Sequence, residues 1–274
     1  MPIEDALAYA RKPKLDALLA ARGGSIEMEL YENGHAVDEP HALYSGTKSF
    51  WGVAAIIAER DGIIKLDEPV ANALPQWNED AVKSTITPRM LLQLTAGFGF
   101  GGLGNAVPTY ERALETPLKT VPGSTFTYGG IPLQIFGAYF AEKLKALELT
   151  PQQYLEQRVL TEASTSIARW RVLKDGTQPL PTGAYLTARN WLAYGVYVLA
   201  RHAHFAEAFL ASHANPRYGL GWWLGAPGVS TDLVYASGSG GQGLYVIPSQ
   251  KLVVVHFGNS TSYKHDAFLK RLLA

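Results

Sequence analysis

Apolar and polar positions alternate with two different periods along this chain, and the changes of period divide it into elements. Residues 4–22 carry apolar side chains among spaced charges and end at Gly23-Gly24, which predicts an amphipathic opening helix closed by glycine. "SIEMELYENGHAV" alternates apolar and polar residues around Asn33-Gly34, a pattern that predicts a hairpin of antiparallel strands. Residues 46–60 read as a helix closed by Asp61-Gly62. Its stretch "SFWGVAAIIA" is apolar almost all round, so the helix should be buried. Thr87-Pro88 has the form of an N-cap followed by a first-turn proline.

Residues 97–109 are glycine-rich and loop-like, and Pro122-Gly123 makes a turn before "STFTYGG". A helix should run from Pro132 to about 146, with others over 151–160 and 187–201. From 217 the texture changes to short β-rich runs, "RYGLGWWLG", "DLVYAS", "GLYVIP" and "KLVVVHFGN", before a final helix over 262–273. Strands near both ends therefore enclose a mostly helical middle. The economical arrangement is an α/β (α+β) protein with one antiparallel sheet built from both termini and flanked by helices. The expected division is a sheet domain of 1–45 and 205–274 around a helical domain of 46–204, with the active site at their interface.

Composition narrows the function classes. Lys+Arg and Asp+Glu each number 24, so the net charge is zero and no basic run offers a surface to nucleic acid. With no cysteine, disulfides, thiolate metal sites and cysteine nucleophiles are excluded together. No apolar stretch reaches the ~20 residues of a membrane span. The N-terminal stretch lacks the apolar core and cleavage site of a signal peptide. If Met1 is the native start the protein is expected to be cytoplasmic; with a leader removed, periplasmic or secreted.

The chemistry-bearing pair is Ser45 and Lys48. Their i, i+3 spacing puts both on one face of a helix with Cβ atoms ~5–6 Å apart. A lysine in the first turn of a buried helix is disfavoured by the macrodipole and again by desolvation. Both effects lower its pKa, leaving a neutral amine able to take the serine proton. The opposing reading is a solvent-facing stripe of Lys48, Gly52, Ala55 and Glu59.

The wider context bears on that choice. "YSGTKSFWGVAAIIAERDGIIKLDEPVANALPQW", "ITPRMLLQLTAGF", "PGSTFTYGG" and "ASGSGGQGLYVIPSQKLVVV" follow one another in order. Together, over 40–140 and 217–258, they resemble the serine β-lactamase-like superfamily of class C β-lactamases, D-Ala-D-Ala peptidases and related esterases. The resemblance implies Ser45 as nucleophile, Lys48 as its base partner and Tyr128 as the proton shuttle. It further implies an oxyanion hole from the backbone N–H groups of Ser45 and Ser239, substrate contacts at Ser237 and Gly238, and no cofactor. Two positions depart from the pattern. Gly130 stands where the family has asparagine, and Ala236 where it has a lysine or histidine that engages a substrate carboxylate. Without a substitute cation from Arg189 or Arg217, the expected substrate shifts from β-lactams toward small esters or neutral amides. The alternatives are a β-lactamase or D-amino-acid peptidase, and a non-catalytic ligand-binding protein of the same fold.

Trp222 and Trp223 should point to opposite faces of a strand, one lining an apolar acyl pocket and the other packing. Gly97-x-Gly99-x-x-Gly102 and Gly238-x-Gly240-x-x-Gly243 lack the strand-to-helix setting of a dinucleotide site. His202 and His204 would diverge on a helix, so no metal is expected. The absence of G-x-S-x-G disfavours an α/β-hydrolase.

Overall fold

The predicted opening helix breaks at Lys12. A computed structural model, which describes residues 2–12, 14–229 and 232–274, has helix α1 at Pro2–Arg11 and strand β1 at Leu15–Arg22. Leucine and alanine favour helix intrinsically, but β1 is buried on both faces, which is why its apolar run is nearly continuous. Ala17, Leu19 and Ala21 enter one core while Leu18 and Ala20 enter the other.

Gly23 and Gly24, at φ +56° and +88°, form the two-residue loop of a hairpin in which Arg22 pairs with Ser25 of strand β2, Ser25–Tyr31. The glycine pair thus turns a hairpin rather than capping a helix. Both tasks need positive φ, so the residues alone do not separate them. Asn33-Gly34 also makes a turn, but residues 35–40 form no strand, so the predicted hairpin around it is absent. Asn33 instead donates its amide to the Leu15 carbonyl at 2.6 Å.

After β3 (His41–Ala42) comes a single 3-10 turn, Tyr44–Lys48, that leads into α2 (Ser49–Arg60). The middle of the chain contributes α3 (Pro88–Leu92), α4 (Tyr110–Glu115), α5 (Ile131–Leu144) and α6 (Pro151–Leu155), then β4 (Arg169–Trp170), β5 (Ala184–Leu186) and α7 (Ala188–Ala200). β6 (Trp223–Leu224), β7 (Val234–Gly238), β8 (Gln242–Ile247), β9 (Leu252–Gly258) and α8 (His265–Leu272) complete it. Thr87 and Thr187 cap α3 and α7 through their hydroxyls, each accepting an N–H at 3.2 Å. Thr150 and Gln153 form a reciprocal capping box on α6.

The main sheet has the order β2-β1-β9-β8-β7-β6, antiparallel throughout, so strands from both chain ends share it. α1 and α8 cover one face, and α7 packs on β1, β8 and β9 across the other. A small second sheet, β3-β5-β4, holds the segment leading to Ser45: Leu43 N–H donates to the Ala184 carbonyl at 3.0 Å. Among the described residues no helix is long and apolar enough to cross a membrane.

Candidate active site

The 3-10 turn sets the geometry. Ser45 is half-buried at its start, whereas Lys48 at its end is 1% exposed. Lys48 Nζ donates to Ser45 Oγ at 3.0 Å and to the carbonyl of Pro181 at 3.0 Å. It also lies 4.9 Å from the centroid of the Tyr128 ring. The solvent-stripe reading of this face therefore fails at the lysine. Burial pushes Lys48 down to about 7 from the ordinary lysine value near 10.5. Desolvation accounts for this shift, and no neighbouring charge opposes it. The expected help from the helix N-terminus is not needed, because Lys48 precedes α2 instead of sitting inside its first turn.

Tyr128 meets the pair from the loop before α5. Burial raises its pKa above the ordinary tyrosine value, and a hydrogen bond with Ser45 opposes the rise. Around it stands an aromatic wall. Trp223 stacks on Tyr128 at 5.8 Å, Tyr218 meets it edge-on at 6.2 Å, and Phe126 lies at 6.5 Å. The two tryptophans diverge in role. Trp222 is fully buried with its indole N–H on the Ser49 carbonyl at 3.0 Å, while Trp223 remains partly exposed beside Tyr128.

β7 closes the other side. A Cβ on Gly238 would fall 2.1 Å from the Leu43 carbonyl oxygen, so the strand end passes directly against the chain entering Ser45. Ser237 pairs with Gly243, and the exposed Ser239 begins the turn into β8. That turn is anchored from beneath. Gln242 donates to the Ser239 and Gly258 carbonyls at 3.0 and 2.7 Å, and His256 Nδ1 bonds the Gly241 carbonyl at 2.6 Å. Burial holds His256 down at about 3, hence neutral and a donor through Nδ1–H.

The departures from the expected motifs have structural counterparts. Ala236 is buried and supplies no charge. Arg189 is held by Glu29 at 2.6 and 3.0 Å, and Arg217 by the Gly225 carbonyl and Asp266 at 3.3 and 3.4 Å. Arg189 is thus engaged elsewhere, and Arg217 spends Nη2 on these two oxygens while its buried Nε has no hydrogen-bond partner among the described residues. At Gly130 a Cβ would lie 1.8 Å from the Gly102 carbonyl oxygen, so no asparagine fits. Gly97–Gly102 is the loop that packs there, with Gly130 N–H donating to the Gly101 carbonyl at 2.9 Å, and the second glycine motif is the β7–β8 turn. His202 stacks on Phe209, and among the described residues no group of three metal-ligating side chains gathers. The Pro181 carbonyl was not identifiable beforehand, because a backbone oxygen leaves no mark in residue type.

A family model described as Beta-lactamase matches residues 16–274. Among curated proteins no relative matches. Among solved structures the chain is similar to EstCE1, titled a hydrolase with promiscuous acyltransferase activity, with TM-score 0.79 and 16% identity over 99% of this chain and 97% of that one. It is also similar to a class C beta lactamase from Rhodobacter sphaeroides, at TM-score 0.72 and 15% identity over 98% and 96% of the two chains. A D-stereospecific amidohydrolase from Streptomyces sp. aligns at TM-score 0.74 and 14% identity over 98% of each chain. At such identities the likeness establishes the fold.

Proposed function

The chain belongs to the beta-lactamase family, and from that premise we propose that it is a serine hydrolase acting through an acyl-enzyme on Ser45. The observation that carries this reading is the 3.0 Å bond between Ser45 Oγ and a fully buried Lys48. Ser45 Oγ attacks the substrate carbonyl carbon while its proton passes to the neutral Lys48 amine. The backbone N–H groups of Ser45 and Ser239 take the tetrahedral oxyanion, a contribution that is usually the largest single one. As the bond to the leaving group breaks, Tyr128 hands that group a proton and is reprotonated from Lys48. Water then attacks the acyl carbon, its proton returns through the same groups to Ser45, and the acid departs.

The proposed substrates are small esters or neutral amides. Burying a substrate carboxylate with no cation is costly, and the position of the family's cation is the apolar Ala236 while Arg189 is held by Glu29. The likeness to EstCE1, described as a hydrolase with promiscuous acyltransferase activity, and to a D-stereospecific amidohydrolase supports the same direction. The site would lie where the sheet unit, 1–45 and 205–274, meets the helical unit, 46–204. Intact-mass spectrometry tests the reading directly. A fluorophosphonate should add one adduct to the wild-type protein and none to Ser45→Ala, and penicillin should add none to either. An unlabelled wild-type protein overturns the proposal.

A further inference from the structure

Pro179, Leu180 and Pro181 form a segment whose polar backbone is held by side chains throughout. Trp170 Nε1 donates to the Pro179 carbonyl at 3.0 Å, Trp51 Nε1 to the Leu180 carbonyl at 2.7 Å, and Lys48 Nζ to the Pro181 carbonyl at 3.0 Å. The two prolines have no N–H, and the one the segment does have, on Leu180, donates to Gln134 Oε1 at 2.8 Å. Gln134 is fully buried on α5, and its Nε2 donates to the Pro108 carbonyl at 2.7 Å. A glutamine here spends an acceptor on one loop and a donor on another, which neither leucine nor an ionised glutamate can do.

We propose that Gln134 is a positioning residue for the base: through Leu180 it fixes the Pro181 carbonyl that aims Lys48 Nζ at Ser45. This rests on reading Lys48 as that base. A lysine has four rotatable side-chain bonds, and a neutral amine is useful only when its lone pair faces the serine hydroxyl. One N–H spent on a rigid carbonyl fixes that direction, and geometry of this kind is a large part of catalysis. A Cβ on Gly130 would lie 3.0 Å from Pro181 Cγ, so the peptide segment itself occupies the space beside the lysine. The other titratable groups near Lys48 are Tyr128 below its amine and Tyr194, whose hydroxyl bonds the Ser49 carbonyl; Tyr218 packs against Tyr128. Burial raises all three above the ordinary tyrosine value, so they stay neutral while Lys48 titrates.

A carbonyl accepting from Nζ favours the ammonium form. Releasing it lowers the lysine pKa further and also leaves the amine poorly aimed. The test is kcat/KM against pH on a p-nitrophenyl ester for wild type, Gln134→Met and Trp51→Phe. The expected signature is a plateau about tenfold lower with the rising limb moved toward acid by up to about one pH unit. A purely structural defect lowers the plateau and leaves the midpoint in place. Folded Gln134→Met with a wild-type midpoint overturns the inference. If Gln134→Met does not fold, Trp51→Phe, which removes one N–H and keeps an aromatic body, decides by the same criterion. Fluorophosphonate labelling of Ser45 in the wild type alongside unmoved midpoints would defeat this inference alone and leave the acyl-enzyme reading standing.

Discussion

Lys48 Nζ and Ser45 Oγ lie 3.0 Å apart on one 3-10 turn, and among the described residues no carboxylate balances the enclosed lysine. A charged amine there would be an ion in an apolar site, and a neutral one is a base beside a hydroxyl. The acylation rate should therefore rise with pH through an apparent pKa of about 7 and level off above it, since Lys48 is neutral only above that value. Lys48→Ala should cost about 10²–10⁴-fold in acylation, and Lys48→Arg should recover little, because guanidinium does not lose its proton in this range. Burial keeps the Tyr128 proton in place across this range, so the rising limb is assigned to Lys48 and the substitutions test that assignment. Near-native labelling of Ser45 in Lys48→Ala would place the base elsewhere.

The same burial has a cost in stability. Lys48 titrates near 7 when folded but near its ordinary value of 10.5 when unfolded, so between those values the unfolded chain binds more protons. Stability should rise with pH from about 7 toward 9, by up to about 1.4 kcal/mol per unit from this group. Lys48→Met, similar in length and uncharged, should be the more stable protein at pH 7, with its advantage shrinking as the pH rises. Urea denaturation of both proteins at pH 7, 8 and 9 measures the difference. A gap that stays constant across the three would mean that Lys48 is not desolvated in the folded state.

The sheet drawn from both chain ends was legible in its alternating and β-branched runs, whereas the Ser45–Lys48 spacing alone left a solvent-facing stripe open and Tyr128 was singled out by the resemblance of its motif. β1 was not legible. "LDALLAAR" has helical propensity and no alternation, and it becomes a strand only because β2 and β9 flank it and helices cover its faces. Pro181 and Gln134 were invisible for a related reason. Their contribution is a carbonyl direction and a buried amide, both set by contacts between residues far apart in the chain.

Gly130 separates motif from geometry. It is the N-cap of α5 at φ −105°, ψ −21°, a position that asparagine ordinarily suits well. The Gly102 carbonyl, 1.8 Å from any Cβ, decides otherwise. Restoring the family residue with Gly130→Asn should lower stability by about 1–3 kcal/mol or more and displace the Gly97–Gly102 loop, with no gain in activity. Thermal denaturation and ester turnover check it. An unchanged melting temperature would show that the loop yields freely.

Trp222 and Trp223, adjacent in sequence, should fail in opposite ways when truncated. Trp222 is fully buried, stacks on Tyr194 at 6.3 Å and satisfies the Ser49 carbonyl just after the Lys48 turn. Trp222→Ala should therefore cost about 3–5 kcal/mol of stability, chiefly through the cavity it leaves. Trp223 is partly exposed and stacks on Tyr128 at 5.8 Å, and under the proposed function its indole would meet the apolar part of a substrate. Trp223→Ala should leave most of the stability intact and raise KM. The rise should be greater for a p-nitrophenyl hexanoate than for the acetate, because the longer acyl chain loses more apolar contact at roughly 0.8 kcal/mol per buried methylene. Steady-state kinetics on the two esters, with urea titrations of both variants, separate the roles. Equal KM changes on acetate and hexanoate would remove Trp223 from the acyl pocket and leave it as packing around Tyr128.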